Sequence, residues 1–215
     1  LFTDADTVHT PGSLARSLQE AQRRGVTLLS YSPKQEVEGF LERAVMPVIF
    51  AELAATYQPS KVSDPSSPAA AANGQYLLIQ REAYEAVGGH AAIASSILED
   101  VALARAVKRS GRKIFFRYGE DAVCTRMYRS FAQLREGWTK NLVLLFPAPG
   151  QLAVLRFTEF VLIAGSGILC ALAYHDRRMT LVVALFAVFA IAFGFFWSRI
   201  RKAHFSWMSH SLALF

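Results

Sequence analysis

Two acidic signatures lie far apart in this chain: Asp4 and Asp6 within LFTDADT, and the adjacent pair Glu99-Asp100. A short apolar strand that ends in Asp-x-Asp sets two carboxylates at a sheet edge, where open α/β sheets bind ligands. On an extended backbone Asp4 and Asp6 share one face. Hard oxygen ligands of this type suit Mg²⁺ or Mn²⁺ bridging to the phosphates of a substrate. Glu99 and Asp100 open a helical pattern, whose N-terminal dipole keeps carboxylates ionised. Asp100, with Glu99 beside it, is thereby suited to take a proton as a general base. The plainer readings are a solvated turn for Asp-x-Asp and helix capping for Glu99-Asp100.

The elements that position these groups alternate between strand and helix. Thr10 is expected to cap a helix with Pro11 at its first position and Gly25 at its end, Leu14, Leu18 and Ala21 forming its apolar face. VTLLSYS (Val26 to Ser32) follows as a buried strand. Residues 37–57 read as an apolar helix pair broken at Pro47, and the Pro/Ser/Ala-rich residues 58–73 as a loop, free to move over a site. Gly74 to Gln80 is a strand, REAYEAVGGH a short helix stopped at Gly88-Gly89, and Glu99 to Ser110 a helix stopped by Gly111. KIFFRY and AVCTRMY read as strands, and Ser130 as the cap of a helix through Trp138 toward Phe146. The order predicts an α/β layer architecture.

Pro147 and Pro149 then mark a break. Residues 152–174 carry Arg156 and Glu159 as their only charges, and residues 180–197 carry none. Each stretch is long enough to cross a bilayer as a helix, and the HDRR between them fits only a hairpin. The last eleven residues are expected to begin a third span. Of the net charge of +6, residues 1–160 hold +2 and the remainder +4. The basic surplus flanks apolar segments, as membrane-facing charge does, and makes no patch for nucleic acid. Cys124 and Cys170 supply neither a disulfide framework nor zinc spacing.

Taken together, LFTDADT, GQYLLIQREAYEAVGGH, ILEDVALARAVKRSG, RMYRSFAQLREGWTKN and the paired spans resemble the membrane-anchored, lipid-modifying bacterial branch of the family 2 glycosyltransferases. The resemblance implies the C-terminal part of a GT-A (nucleotide-diphospho-sugar transferase) domain over residues 1–146, followed by a membrane region over 147–215. It implies sugar transfer, with inversion, from a nucleotide-diphosphate sugar to a lipid or prenyl-type hydroxyl, on the cytoplasmic side of a bacterial cell membrane. Asp4 and Asp6 match the metal and sugar-nucleotide motif, with Asp6 the direct ligand of Mg²⁺ or Mn²⁺. Asp100, with Glu99, matches the catalytic acidic pair. Gly88, Gly89 and His90 match the segment lining the donor and acceptor site, and Trp138 matches the Trp of the Gln-x-x-Arg-Trp motif. That motif is altered here: Leu134 and Gly137 occupy the Gln and Arg places, with Gln133 and Arg135 adjacent, Arg135 being a candidate diphosphate contact. The departure argues against a processive synthase. By the same resemblance the chain is a piece of a longer protein, with the base- and ribose-binding strands before Leu1, and is inactive alone.

Two rivals remain open on sequence. DADTV also fits a haloacid-dehalogenase-type phosphatase with Asp4 as nucleophile and GEDAV at Gly119 as its second acidic motif. A non-catalytic membrane scaffold would require none of these carboxylates.

Overall fold

The computed structural model describes residues 1–214, with the backbone alone at Lys140. In chain order the elements are β1 (Thr7–His9), α1 (Ser13–Arg24), β2 (Leu28–Ser32), β3 (Lys34–Gln35), α2 (Phe40–Thr56), α3 (Pro59–Ser63), β4 (Leu77–Ile79), α4 (Arg81–Ala86), α5 (Gly89–Ala92), α6 (Glu99–Arg109), β5 (Ile114–Tyr118), β6 (Val123–Thr125), α7 (Phe131–Leu145), α8 (Pro149–His175), α9 (Met179–Ile200) and α10 (Trp207–Leu212). They form two compact units, Leu1–Glu38 with Thr56–Arg129, and Gly39–Ala55 with Ser130–Phe215.

The first unit is built on β2, whose five residues are all buried. It pairs in parallel with β5, from Leu28 opposite Ile114 to Ser32 opposite Tyr118, and antiparallel with β4. A parallel pair needs a crossover connection, and α6 lies in the segment that returns the chain to β5. Alternate β2 side chains enter different clusters. Leu28 packs with Leu77, Leu103, Val107 and Ile114, whereas Leu29 and Tyr31 pack with Tyr76 and Val123. Both faces of the sheet are thus covered, and all five β2 residues are buried, Ser30 and Ser32 included. A second small sheet, β1-β6-β3, follows where Pro33 carries the chain from β2 to β3. The α/β class read from the sequence is the one observed.

Several local expectations are corrected. The N-cap of α1 is Gly12, in the left-handed region at φ 73°, and not Thr10. The Thr10 hydroxyl instead donates to the carbonyls of Asp121 and Ala122, a long-range pairing that local capping rules do not see. The same helix turns Ser13 and Ser17 inward, Ser17 Oγ lying 2.8 Å from the Tyr76 hydroxyl, and leaves Leu14 and Leu18 exposed. α2 runs through Pro47 as one helix and not a pair. Residues 58–73 are not a free loop: they contain α3, bury Val62 and Ala70 to Ala72, and are pinned by Lys108. The Lys108 ammonium donates to the Val62 and Ala69 carbonyls at 2.7 and 2.6 Å.

In the second unit α8 and α9 form an antiparallel hairpin joined through Arg177, which takes positive φ at the turn. Both helices are long and apolar enough to cross a membrane. Their apolar side chains face outward over most of their length, Phe157, Val183 and Phe195 each being about two-thirds exposed or more. Four charged side chains close a ring within this unit: Glu52 of α2, Arg156 and Glu159 of α8, and Arg199 of α9. The ring contacts are Arg156–Glu52 at 3.1 Å, Arg156–Glu159 at 2.8 Å, Arg199–Glu52 at 2.8 Å and Arg199–Glu159 at 2.5 Å. The residues expected to open a third span form α10, capped by Ser206; Phe215 lies outside the described residues.

Candidate active site

The first unit contains a cavity of about 370 Å³ lined by Leu1, Phe2, Thr3, Asp4, Gly74, Leu77, His90, Glu99 and Asp100. Its floor is set by backbone pairing: Phe2 exchanges both main-chain hydrogen bonds with Leu77, at 2.8 and 3.0 Å, which brings the N-terminal segment against β4. The chain leaves that bridge at once. The Thr7 N–H donates to the Asp4 carbonyl, closing a turn over Ala5 and Asp6 before β1 starts. Asp4 therefore opens a turn and Asp6 lies within it, instead of the two alternating along a strand, and the expected extended geometry is corrected here. Asp4 lines the cavity; Asp6 is absent from the lining but close enough to raise the Asp4 pKa. That rise comes first from burial of the Asp4 carboxyl, then from the negative charges of Asp6 and Glu99.

Asp100 sits in the first turn of α6 and is partly buried. Its Oδ2 accepts the Gly74 N–H at 3.0 Å and its Oδ1 the Val101 N–H at 2.7 Å. Both bonds favour the ionised form, yet burial outweighs them and, with Glu99 adding to it, lifts the pKa to about 6. The helix start alone suggested a carboxylate held ionised; the structure shows one poised near neutrality, the range in which a general base works best. Gly74 is the partner that sequence reasoning missed. A Cβ built there would lie 3.7 Å from Asp100 Cβ, so the site has room for a small side chain and what it uses is the Gly74 N–H.

Of the other sequence candidates, His90 lines the cavity, whereas Gly88 and Gly89 shape the turn before it, with φ of 78° and 55°. Trp138 and Arg135 lie on α7, in the second unit. Trp138 is buried with its ring edge-on to Phe50, and Arg135 is exposed. Asp121 of GEDAV is bound to Arg117 at 2.6 Å in a network with Glu20 and Tyr31, a structural role in this unit.

The family model described as "Glycosyltransferase like family 2" matches residues 1–136, well over half of the chain. The chain belongs to that family. This decides against the phosphatase and scaffold alternatives. Among curated proteins it is similar to the 4,4'-diaponeurosporenoate glycosyltransferases of Staphylococcus aureus strains USA300, NCTC 8325 / PS 47 and Newman. Each is 29% identical over 135 residues, which cover 60% of this chain and 36% of the relative. The chain therefore spans little more than a third of the length of the curated relatives it matches. No solved structure gives a significant match.

Divalent metal is common among family 2 enzymes. Among the described residues no group of three or more His, Cys, Asp or Glu could hold such an ion. The donor set nevertheless fits one. Mg²⁺ and Mn²⁺ are typically held by one or two carboxylates, with substrate phosphates and water completing the shell. Asp4 and Asp6 are two such carboxylates, and the negative charge of Asp6 and Glu99, which adds to burial in raising the Asp4 pKa, is a surplus that a cation relieves.

Proposed function

We propose that the full protein transfers a sugar from a nucleotide-diphosphate donor to a lipid or prenyl-type hydroxyl, with inversion. The observation that carries this reading is the cavity joining Asp4, His90, Glu99 and Asp100, with Asp100 poised near neutrality. In this reading Asp100 takes the proton of the acceptor hydroxyl as its oxygen attacks the anomeric carbon. The bond from that carbon to the diphosphate oxygen breaks, and the nucleotide diphosphate leaves from the opposite face. One base suffices for this single displacement, and no covalent sugar–enzyme intermediate is required. Burial keeps the Asp100 carboxylate basic, and the negative charge of Glu99 beside it adds to that. Asp6 and Asp4 would hold a divalent ion, which when bound offsets charge on the departing diphosphate.

The membrane reading rests on α8 and α9. A lipid acceptor follows from them and from the relatives, whose printed name makes a 4,4'-diaponeurosporenoate the group they glycosylate. We place residues 147–215 in a bacterial cell membrane and the sugar-transfer chemistry on its cytoplasmic side, where nucleotide sugars are made. The test is to incubate membranes containing the full-length protein with radiolabelled nucleotide-diphosphate sugars, one at a time, and extract with organic solvent. Label entering the organic phase with one donor is the expected result. Label that stays in water-soluble products with every donor overturns the lipid acceptor.

A further inference from the structure

The cavity lining is rich in acceptors: Asp4, Glu99 and Asp100 contribute carboxylates, and the Thr3 hydroxyl is already donated to the Gln75 carbonyl at 3.0 Å. His90 is the lining side chain able to present an N–H, and whether it does depends on its tautomer. Tyr84, outside the lining, bears on that choice. Its hydroxyl oxygen accepts the His90 main-chain N–H at 3.1 Å and lies 2.7 Å from His90 Nδ1. Having accepted from the main chain, the hydroxyl has its own proton to place, and among the described residues Nδ1 is the acceptor within reach. A hydrogen bond donated by the Tyr84 hydroxyl requires Nδ1 to be the unprotonated ring nitrogen and puts the ring proton on Nε2, which makes no hydrogen bond among the described residues.

The surrounding side chains hold this pair in place. Phe2 stands edge-on to His90 at 4.8 Å and packs against Tyr84 at 5.3 Å. Gly89, at φ 55°, leaves the space the Tyr84 ring occupies: a Cβ there would fall 2.6 Å from Tyr84 Cζ. We propose that Tyr84 is a positioning residue that locks His90 as the Nε2–H tautomer, and that this N–H recognises an oxygen of the transferred sugar. The proposal deepens the sugar-transfer reading and rests on it only for the identity of the oxygen; the lock itself is a property of the chain.

The lock is read by nitrogen NMR of the ¹⁵N-histidine-labelled full-length protein in detergent, with the His90 signals identified by their loss in His90→Gln. The expected result is a protonated Nε2 and a bare Nδ1 in the wild type, replaced by a tautomer mixture in Tyr84→Phe while the remaining histidine signals stay in place. Nδ1–H in the wild type overturns the lock, whether or not Tyr84→Phe folds. An unchanged His90 tautomer in Tyr84→Phe overturns it as well. The recognition role is read in kcat/KM for the sugar donor. His90→Gln, whose amide nitrogen reaches the Nε2 position, should stay within about threefold of wild type, and His90→Asn should fall about tenfold, the worth of one hydrogen bond. Equal losses in the two variants overturn recognition. A locked tautomer in a protein that transfers no sugar supports the lock and counts against the sugar-transfer reading, so the two failures are distinguishable.

Discussion

At the scale of single residues the proposed chemistry turns on Asp100. Replacing it with Asn keeps the size but removes the proton acceptor, so turnover should fall by about 10²–10⁴ while donor affinity stays close to wild type. Loss of affinity in parallel with turnover would make Asp100 a binding residue. Its pKa, raised by burial from 3.8 to about 6, also sets a pH signature. The base must be ionised, so the wild-type rate should fall as pH drops through about 6. For stability the sign is opposite. The fold favours the protonated form, so the contribution from Asp100 is fully present below pH 3.8 and is lost as pH rises through about 6, by ~3 kcal/mol at 1.36 kcal/mol per pKa unit. Unfolding of Asp100→Asn, followed from pH 4 to 8, should lack that slope. Asp4 and Asp6 carry a separate expectation. Chelation by EDTA should abolish turnover and Asp6→Asn should reproduce it; full activity in metal-free buffer would remove the cation from the reading.

At the scale of elements, the pinned segment around α3 offers a sharp check. Lys108 satisfies two carbonyls from within α6, and hydrogen bonds to a charged group contribute about 1.5–3 kcal/mol each. Lys108→Met should lower the melting temperature and speed amide exchange across residues 62–72, with exchange elsewhere in the first unit little changed. Lys108 also marks where the sequence stops being legible. Apolar runs and glycine stops announced β2, β5, α6 and α7 close to their observed limits, because those signals are local. The cap of α1, the inward turn of Ser13 and Ser17 and the anchoring of residues 58–73 depend on partners as many as 112 positions away. The site divides in the same way. Asp4, Glu99, Asp100 and His90 were readable from spacing and resemblance. Gly74 and Tyr84 were not, because each acts through one hydrogen-bonding group whose partner only the fold supplies. The turn at Ala5 and Asp6 was missed because an apolar run before Asp-x-Asp looks like a strand whether or not pairing continues past Phe2.

At the scale of the whole molecule, the hairpin sets the orientation to be tested. Nucleotide sugars are cytosolic, so the turn between α8 and α9 should face outward and Arg201 inward. His175, at 89% side-chain exposure, is a suitable reporter for the turn. With Cys124 and Cys170 removed, an impermeant thiol reagent on intact cells should label a cysteine at 175 and spare one at 201; the reverse pattern would invert the topology. The ring of Glu52, Arg156, Glu159 and Arg199 has a consequence for biogenesis. Glu52 emerges from the ribosome 104 residues before Arg156, the first of its two arginine partners to follow it in the chain. At about 5–20 residues per second the wait is on the order of ten seconds. Through that interval α2 holds a carboxylate with neither of its arginine partners, a state that nascent-chain surveillance can recognise. Chains stalled before α8 should therefore be degraded quickly, and Glu52→Gln should prolong their half-life in a pulse-chase experiment even as it weakens the finished hairpin.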